Sequence, residues 1–343
     1  MFPHQKREFS LIMKIFFFTA ILIILTPCGD GNGGDSSNTE SATPIQTYLI
    51  GSTSRTFDGS PGSTGSIPVA IYYPAKNDAV DTDMAEGRFP LVIFSHGYQQ
   101  APTDYRYVWE PLVPAGYIVA LLDKLRSAAT IDIDAYAADI NFVLEGLYNL
   151  ASSGDPVLGS HIETTSALLG HSTGGGATII AAANSTINGS SQATTLAIVA
   201  PLGQTYLTIT GTDPYAVAGD AGVPTLVFAG ARDCICSPES HASLIYHNLD
   251  TAQVNYLLTI TDGDHCGFSD VSGPGKDTCE LAESTACLTV QGDTINPAEQ
   301  NTITVEILKP WLDHFLKGDS DAWLTFQQRI NDRRLSVESS GAT

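Results

Sequence analysis

The stretch Leu169-Gly170-His171-Ser172-Thr173-Gly174-Gly175-Gly176 decides the fold. It sets a serine in G-x-S-x-G spacing between an apolar strand end, Ser166 to Leu169, and the small-residue run Ala177 to Asn184. Small residues suit a helix lying close on a sheet, so the pattern predicts strand, tight turn and helix. Such a turn holds its serine in a strained backbone conformation, and glycine at 170 and 174 leaves room for strand and helix to approach. The hydroxyl then projects from the sheet, and the N–H of Thr173 at the helix start points toward an oxygen bound above Ser172. The same spacing also occurs in turns of no chemical importance, so context has to decide.

A serine hydroxyl at its ordinary pKa is a poor nucleophile. The reading therefore requires a histidine base and an acid to orient it, at strand ends and in the chain order Ser, Asp, His. Pro224 to Gly230 is a continuous apolar run, the mark of a buried parallel strand, and it breaks into Ala231-Arg232-Asp233. Asp233 is the expected acid. Val254 to Ile260 reads as the next strand and ends in Asp262-Gly263-Asp264-His265-Cys266-Gly267-Phe268, which makes His265 the expected base. Asp262 and Asp264 are rival acids, less favoured because they share the histidine's own turn.

A second oxyanion donor should follow an early central strand, and Phe89 to Ser95 followed by His96-Gly97-Tyr98 supplies it. The N–H of Tyr98 is expected to pair with that of Thr173, with the Tyr98 ring as one wall of the acyl pocket. Tyr98, His171 and Leu202 are the expected substrate contacts, His171 also packing beside the nucleophile. His96 has no second ligand at a metal-site spacing, so it reads as a packing residue and no metal is expected.

With these segments placed, the chain resembles the α/β-hydrolase superfamily, and within it the dienelactone-hydrolase-like branch of chlorophyllase-like, platelet-activating-factor-acetylhydrolase-like and cutinase-like polyester hydrolases. The resemblance spans roughly residues 45 to 320. It is carried by Ile67 to Pro74, Phe89 to Tyr98, Ala115 to Val119, Gly170 to Gly176, Phe228 to Asp233 and Trp311 to Asp319. It implies a mostly parallel central sheet with helices on both faces and hydrolysis of carboxylic esters without a cofactor. Ser172 stands where dienelactone hydrolases proper carry cysteine. Ala200-Pro201-Leu202-Gly203 lacks the aromatic residue that such polyester hydrolases often place after this proline, so one side of an aromatic clamp is missing. The short stretch between Pro201 and Val223 leaves no room for a large lid, and an open cleft suits bulky or polymeric esters. Alternatives on the same scaffold are a phospholipase of the platelet-activating-factor-acetylhydrolase type, an acyl transferase or peptidase, and a catalytically silent surface binding protein.

At the N-terminus, Lys6 and Arg7, or Lys14 if translation begins at Met13, precede the apolar run Ile15 to Leu25. That run falls short of the roughly 20 apolar residues that span a bilayer, so residues 1–27 read as a secretory signal. Leu25-Thr26-Pro27-Cys28 resembles the lipobox of a bacterial lipoprotein, and a lipid on Cys28 would attach the chain to a membrane. Gly29 to Thr43 hold no apolar side chain larger than alanine, so residues 28–44 read as a flexible tether. Residues 45–343 suit one large α/β domain, expected as a monomer. Sixteen Lys and Arg against 37 Asp and Glu give a formal charge of −21, which repels polyanions and excludes nucleic acid as a partner.

Beyond Cys28, the cysteines are Cys234, Cys236, Cys266, Cys279 and Cys287, an odd set in a compartment that favours disulfides. If Asp233 and His265 meet, their loops lie side by side. A bridge from Cys236 or Cys234 to Cys266 would then pin acid to base, and Cys279 to Cys287 would close a small satellite loop.

Overall fold

The computed structural model describes residues 47–62, 65–123, 131–188, 193–205, 208–270, 275–288 and 293–341. The expected signal segment, tether and Cys28 lie outside the described residues. Gln46–Thr343 forms one compact unit. Its strands are β1 (Leu49–Phe57), β2 (Ile67–Ala75), β3 (Phe89–Ser95), β4 (Ile118–Leu122), β5 (Ile131–Asp132), β6 (Ile162–His171), β7 (Thr195–Val199), β8 (Ile209–Thr210), β9 (Thr225–Gly230), β10 (Asn255–Ile260) and β11 (Leu335–Ser340). Its helices are α1 (Arg106–Leu112), α2 (Ile133–Ser153), α3 (Thr173–Asn188), α4 (Pro214–Val217), α5 (Ala242–Asn248), α6 (Lys276–Ala286), α7 (Pro297–Lys317) and α8 (Ser320–Arg329).

Among the described residues, nine strands form one sheet in the order β1-β2-β4-β3-β6-β7-β9-β10-β11. The run from β4 through β10 is parallel, β2 and β11 join it antiparallel, and β1 pairs antiparallel with β2. This is the α/β-hydrolase fold anticipated from the sequence. The central strands read as unbroken apolar runs because both of their faces are covered. Ile93, Leu168, Ile198 and Val227 face α2 and α3. Their chain neighbours Val92, Leu169, Ala197 and Leu226 face α1, α7 and α8, as the two-residue period of a strand requires.

Local signals set the helix ends. Asp132 caps α2 by accepting from the N–H groups of Asp134 and Ala135, and Gly154 closes it at φ +80°. Pro310 lies inside α7, which runs as one helix over Pro297–Lys317. Between Pro201 and Val223 the described residues hold only β8, α4 and a 3-10 turn, and β8 pairs with β5 in a separate two-stranded sheet. The parallel strands therefore present their C-terminal ends, and the loops after β3, β6, β9 and β10, along one edge of the sheet.

Candidate active site

Ser172 stands between β6 and α3 with φ +54°, a left-handed conformation that costs a non-glycine residue roughly 1–3 kcal/mol. Main-chain bonds over-determine it: its N–H donates to Val199 O at 3.1 Å, and its carbonyl accepts from Gly176 N at 3.1 Å and Leu202 N at 2.9 Å. The helix side of the turn has no space for a side chain. A Cβ at Gly174 would fall 2.1 Å from the Ser95 carbonyl oxygen.

His265 follows β10. Its Nδ1 lies 2.7 Å from Asp233 Oδ2 and its Nε2 lies 3.0 Å from Ser172 Oγ. A carboxylate only accepts, so the proton between acid and base sits on Nδ1 and Nε2 turns its lone pair to the serine. The other Asp233 oxygen accepts from Ile235 N at 2.9 Å and Cys236 N at 2.6 Å, which fixes the carboxylate plane. Ser172, Asp233 and His265 are 7 %, 4 % and 3 % exposed. Burial alone would lower the imidazole's pKa, but the charge and hydrogen bond of Asp233 outweigh it and the net shift is upward.

Beneath the serine lies a polar network that sequence reasoning did not anticipate. The Tyr105 hydroxyl accepts from Gly97 N at 2.9 Å, donates to Gln100 Oε1, and lies 2.9 Å from His171 Nδ1. It draws the loop after β3 against the elbow so closely that a Cβ at Gly97 would be 3.2 Å from Ser172 Cβ. Lone Tyr and Gln residues in a loop carry no periodic signal that could have flagged them.

A cleft of about 240 Å³ opens over Ser172 and His265. Tyr98, Thr173 and Leu202 line it together with Ile209, Ile235 and residues of α6, and Tyr98 is 38 % exposed at its mouth. The N–H of Thr173, first residue of α3, is among those that a helix leaves without an intrahelical acceptor. The expectation that His171 touches substrate is corrected. It is wholly buried, bonded to Gln100 and Tyr105, and packed with ring centroids 4.8 Å from His265. Burial, and then the charge of His265, hold its pKa well below the ordinary value, so it stays neutral.

Residues 53–274 match the family described as PET hydrolase-like. The chain belongs to that family. It is an ester hydrolase of the α/β-hydrolase superfamily. No curated protein matches the chain. The matched stretch contains Ser172, Asp233 and His265 and ends just before α6.

The expected cysteine pairing of this PET hydrolase-like chain is also corrected. Cys234 is bonded to Cys287 and Cys266 to Cys279, while Cys236 is free. The reason is the tight turn that Asp233 imposes on its own backbone: Cys236, whose N–H it holds, is turned inward to 2 % exposure beside the Ser172 hydroxyl. The disulfides tie the two loops to α6 rather than to each other. Glu283 of α6 accepts from His265 N at 2.7 Å and Cys266 N at 3.0 Å. Burial and nearby Asp264 push its carboxyl up to about 7, against the opposing pull of His265 and the two amides. These disulfides agree with a protein that works outside the reducing cytosol.

Proposed function

We propose that this ester hydrolase works through Ser172, His265 and Asp233 and a covalent acyl-enzyme. The supporting observation is the continuous hydrogen-bonded chain, 2.7 Å from acid to base and 3.0 Å from base to hydroxyl, at the floor of a cleft. His265 Nε2 takes the hydroxyl proton as Ser172 Oγ bonds to the ester carbonyl carbon, and the carbonyl π pair moves onto oxygen. The N–H groups of Tyr98 and Thr173 receive that oxyanion. Collapse breaks the bond to the alcohol oxygen, which leaves with the proton from His265. Water repeats the sequence on the acyl-enzyme and releases the acid. Asp233 keeps the imidazole in the required tautomer and stabilises its charged form.

The family description favours a polyester as substrate. So do the exposed Tyr98 at the mouth and the apolar wall of Leu202, Ile209 and Ile235, which suit a bulky acyl or aryl group. The charged start and short apolar run before Cys28 favour export, with a lipid on Cys28 as the attachment. Labelling with a fluorophosphonate, followed by hydrolysis assays on small esters, phospholipids and polyester films, tests the chemistry. Labelling at Ser172 with release of free acid from films supports the reading. Turnover without labelling refutes the serine mechanism, and turnover of phospholipid alone refutes the polymer assignment. Mass spectrometry of the N-terminus from the native host tests export. A mature chain beginning at a lipidated Cys28 supports it, and an intact Met1 on cytosolic protein refutes it.

A further inference from the structure

Helix α6 grips one residue of the base-bearing loop at three atoms. The N–H of Cys266 donates to Glu283 Oε2 at 3.0 Å, its carbonyl oxygen accepts from Lys276 Nζ at 2.6 Å, and its sulfur is bonded to Cys279. The second carboxylate oxygen of Glu283 reaches one residue back and accepts the N–H of His265 itself at 2.7 Å. Positions 276, 279 and 283 recur at helical spacing, so they form a single stripe facing the loop. Within α6 only Lys276 and Glu283 are buried, at 5 % and 8 % exposure, whereas Leu281 is 70 % exposed. A helix that buries a lysine and a glutamate and exposes its leucine is not held by apolar packing. Its buried face is spent on the peptide units flanking the His265 carbonyl.

We propose that Glu283 and Lys276 are positioning residues for ester hydrolysis, holding the backbone at His265 and Cys266 so that the imidazole stays within reach of Ser172. This rests on the reading of Ser172, His265 and Asp233 as the catalytic set. Asp233 orients the ring through Nδ1, and the α6 clamp fixes the main chain that carries it. Small displacements of a base cost rate out of proportion to stability, on the order of 10²-fold for 1 Å. The groups facing the imidazole are Asp233, Asp264 and Glu283, with His171 and His241 on the other sides, and Lys276 lies behind the Cys266 carbonyl. Glu283 adds negative charge to that set and favours the imidazolium. Removing its charge should lower the imidazole's pKa.

The test compares Glu283→Gln, Glu283→Asp, Lys276→Met and Ser172→Ala in the full chain. It uses a soluble p-nitrophenyl ester, with active sites counted by fluorophosphonate titration. Glu283→Gln should lose about 10- to 100-fold in kcat per titrated site with KM within about twofold, and its acidic limb should move to lower pH. Glu283→Asp should keep the limb and recover part of the rate, and Lys276→Met should lower kcat at unchanged KM. The proposal is overturned if either variant keeps wild-type kcat per titrated site, including the case in which activity falls only because fewer sites are folded. Ser172→Ala separates the two ideas: turnover surviving in that variant sinks the catalytic set itself, whatever Glu283 does.

Discussion

Cys234, which follows Asp233, is bonded to Cys287 at the end of α6, and Cys279 of the same helix is bonded to Cys266, which follows His265. Acid and base loops are thus each fastened to a third element. The bridges close loops with sequence separations of 53 and 13 residues, and chain-entropy arguments assign such loops roughly 3–4 kcal/mol each. A Cys266→Ser/Cys279→Ser variant should melt lower by a few kcal/mol, and its turnover at temperatures where it stays folded should fall as well. Thermal unfolding and steady-state kinetics check this. Unchanged turnover in a destabilised but folded variant would show that the bridge serves stability alone.

Ser172→Ala should fold normally and lose about 10³- to 10⁶-fold in ester turnover, because a nucleophile that acts as a unit with its base leaves only binding and oxyanion contacts behind. The position tolerates alanine less comfortably than it tolerates glycine, given φ +54°. Ser172→Gly is therefore the control for backbone strain: it should be equally inactive and at least as stable. Circular dichroism and initial rates decide it.

The proposed mechanism needs His265 neutral at Nε2. Asp233 holds the imidazole's pKa above the ordinary 6.5 despite burial, so activity should be full at alkaline pH. It should fall as pH drops through a midpoint higher than that of a free imidazole. Asp233→Asn removes both the charge and the tautomer control, and should reduce kcat by about 10⁴-fold. A pH profile of kcat/KM whose acidic midpoint lies well below 6.5 in the wild type would contradict the sign.

Burial, with the charge of Asp233 next, pushes the Cys236 thiol well above its usual range. The thiolate that alkylating agents require is therefore scarce, and access is closed at 2 % exposure. Iodoacetamide should leave Cys236 of the native protein unmodified at neutral pH and, among the five cysteines beyond Cys28, label Cys236 alone once the chain is unfolded without reductant. Rapid native labelling, seen by peptide mapping, would refute this.

The elbow, β3, β9 and β10 are legible because two-sided burial writes strands as unbroken apolar runs. Asp233 and His265 then follow from strand ends and chain order. The edges are not legible in this way. β11, Leu335–Ser340, is mostly exposed, so its sequence shows no apolar alternation. Helix α6 left no trace for a different reason: its buried stripe is Lys276, Cys279 and Glu283, and a search for apolar periodicity passes over ions and sulfur. The cysteine pairing could not be read correctly without α6, since the two loops are bridged only through it. His171 misled because adjacency in sequence to a nucleophile says nothing of which side of the sheet a side chain enters.

The α6 helix also presents Thr278, Cys279 and Ala282 to the cleft. On the proposed mechanism, one short helix is both a wall of the cleft and the brace that aims the base. Ala282 and Glu283 are consecutive residues, so remodelling the wall for a wider or narrower polymer chain also strains the brace. Selection for a new substrate and selection for speed would act here on neighbouring residues of one helix. The broadening of substrate range that laboratory evolution usually seeks in loops would, in this hydrolase, be coupled to turnover from the first substitution.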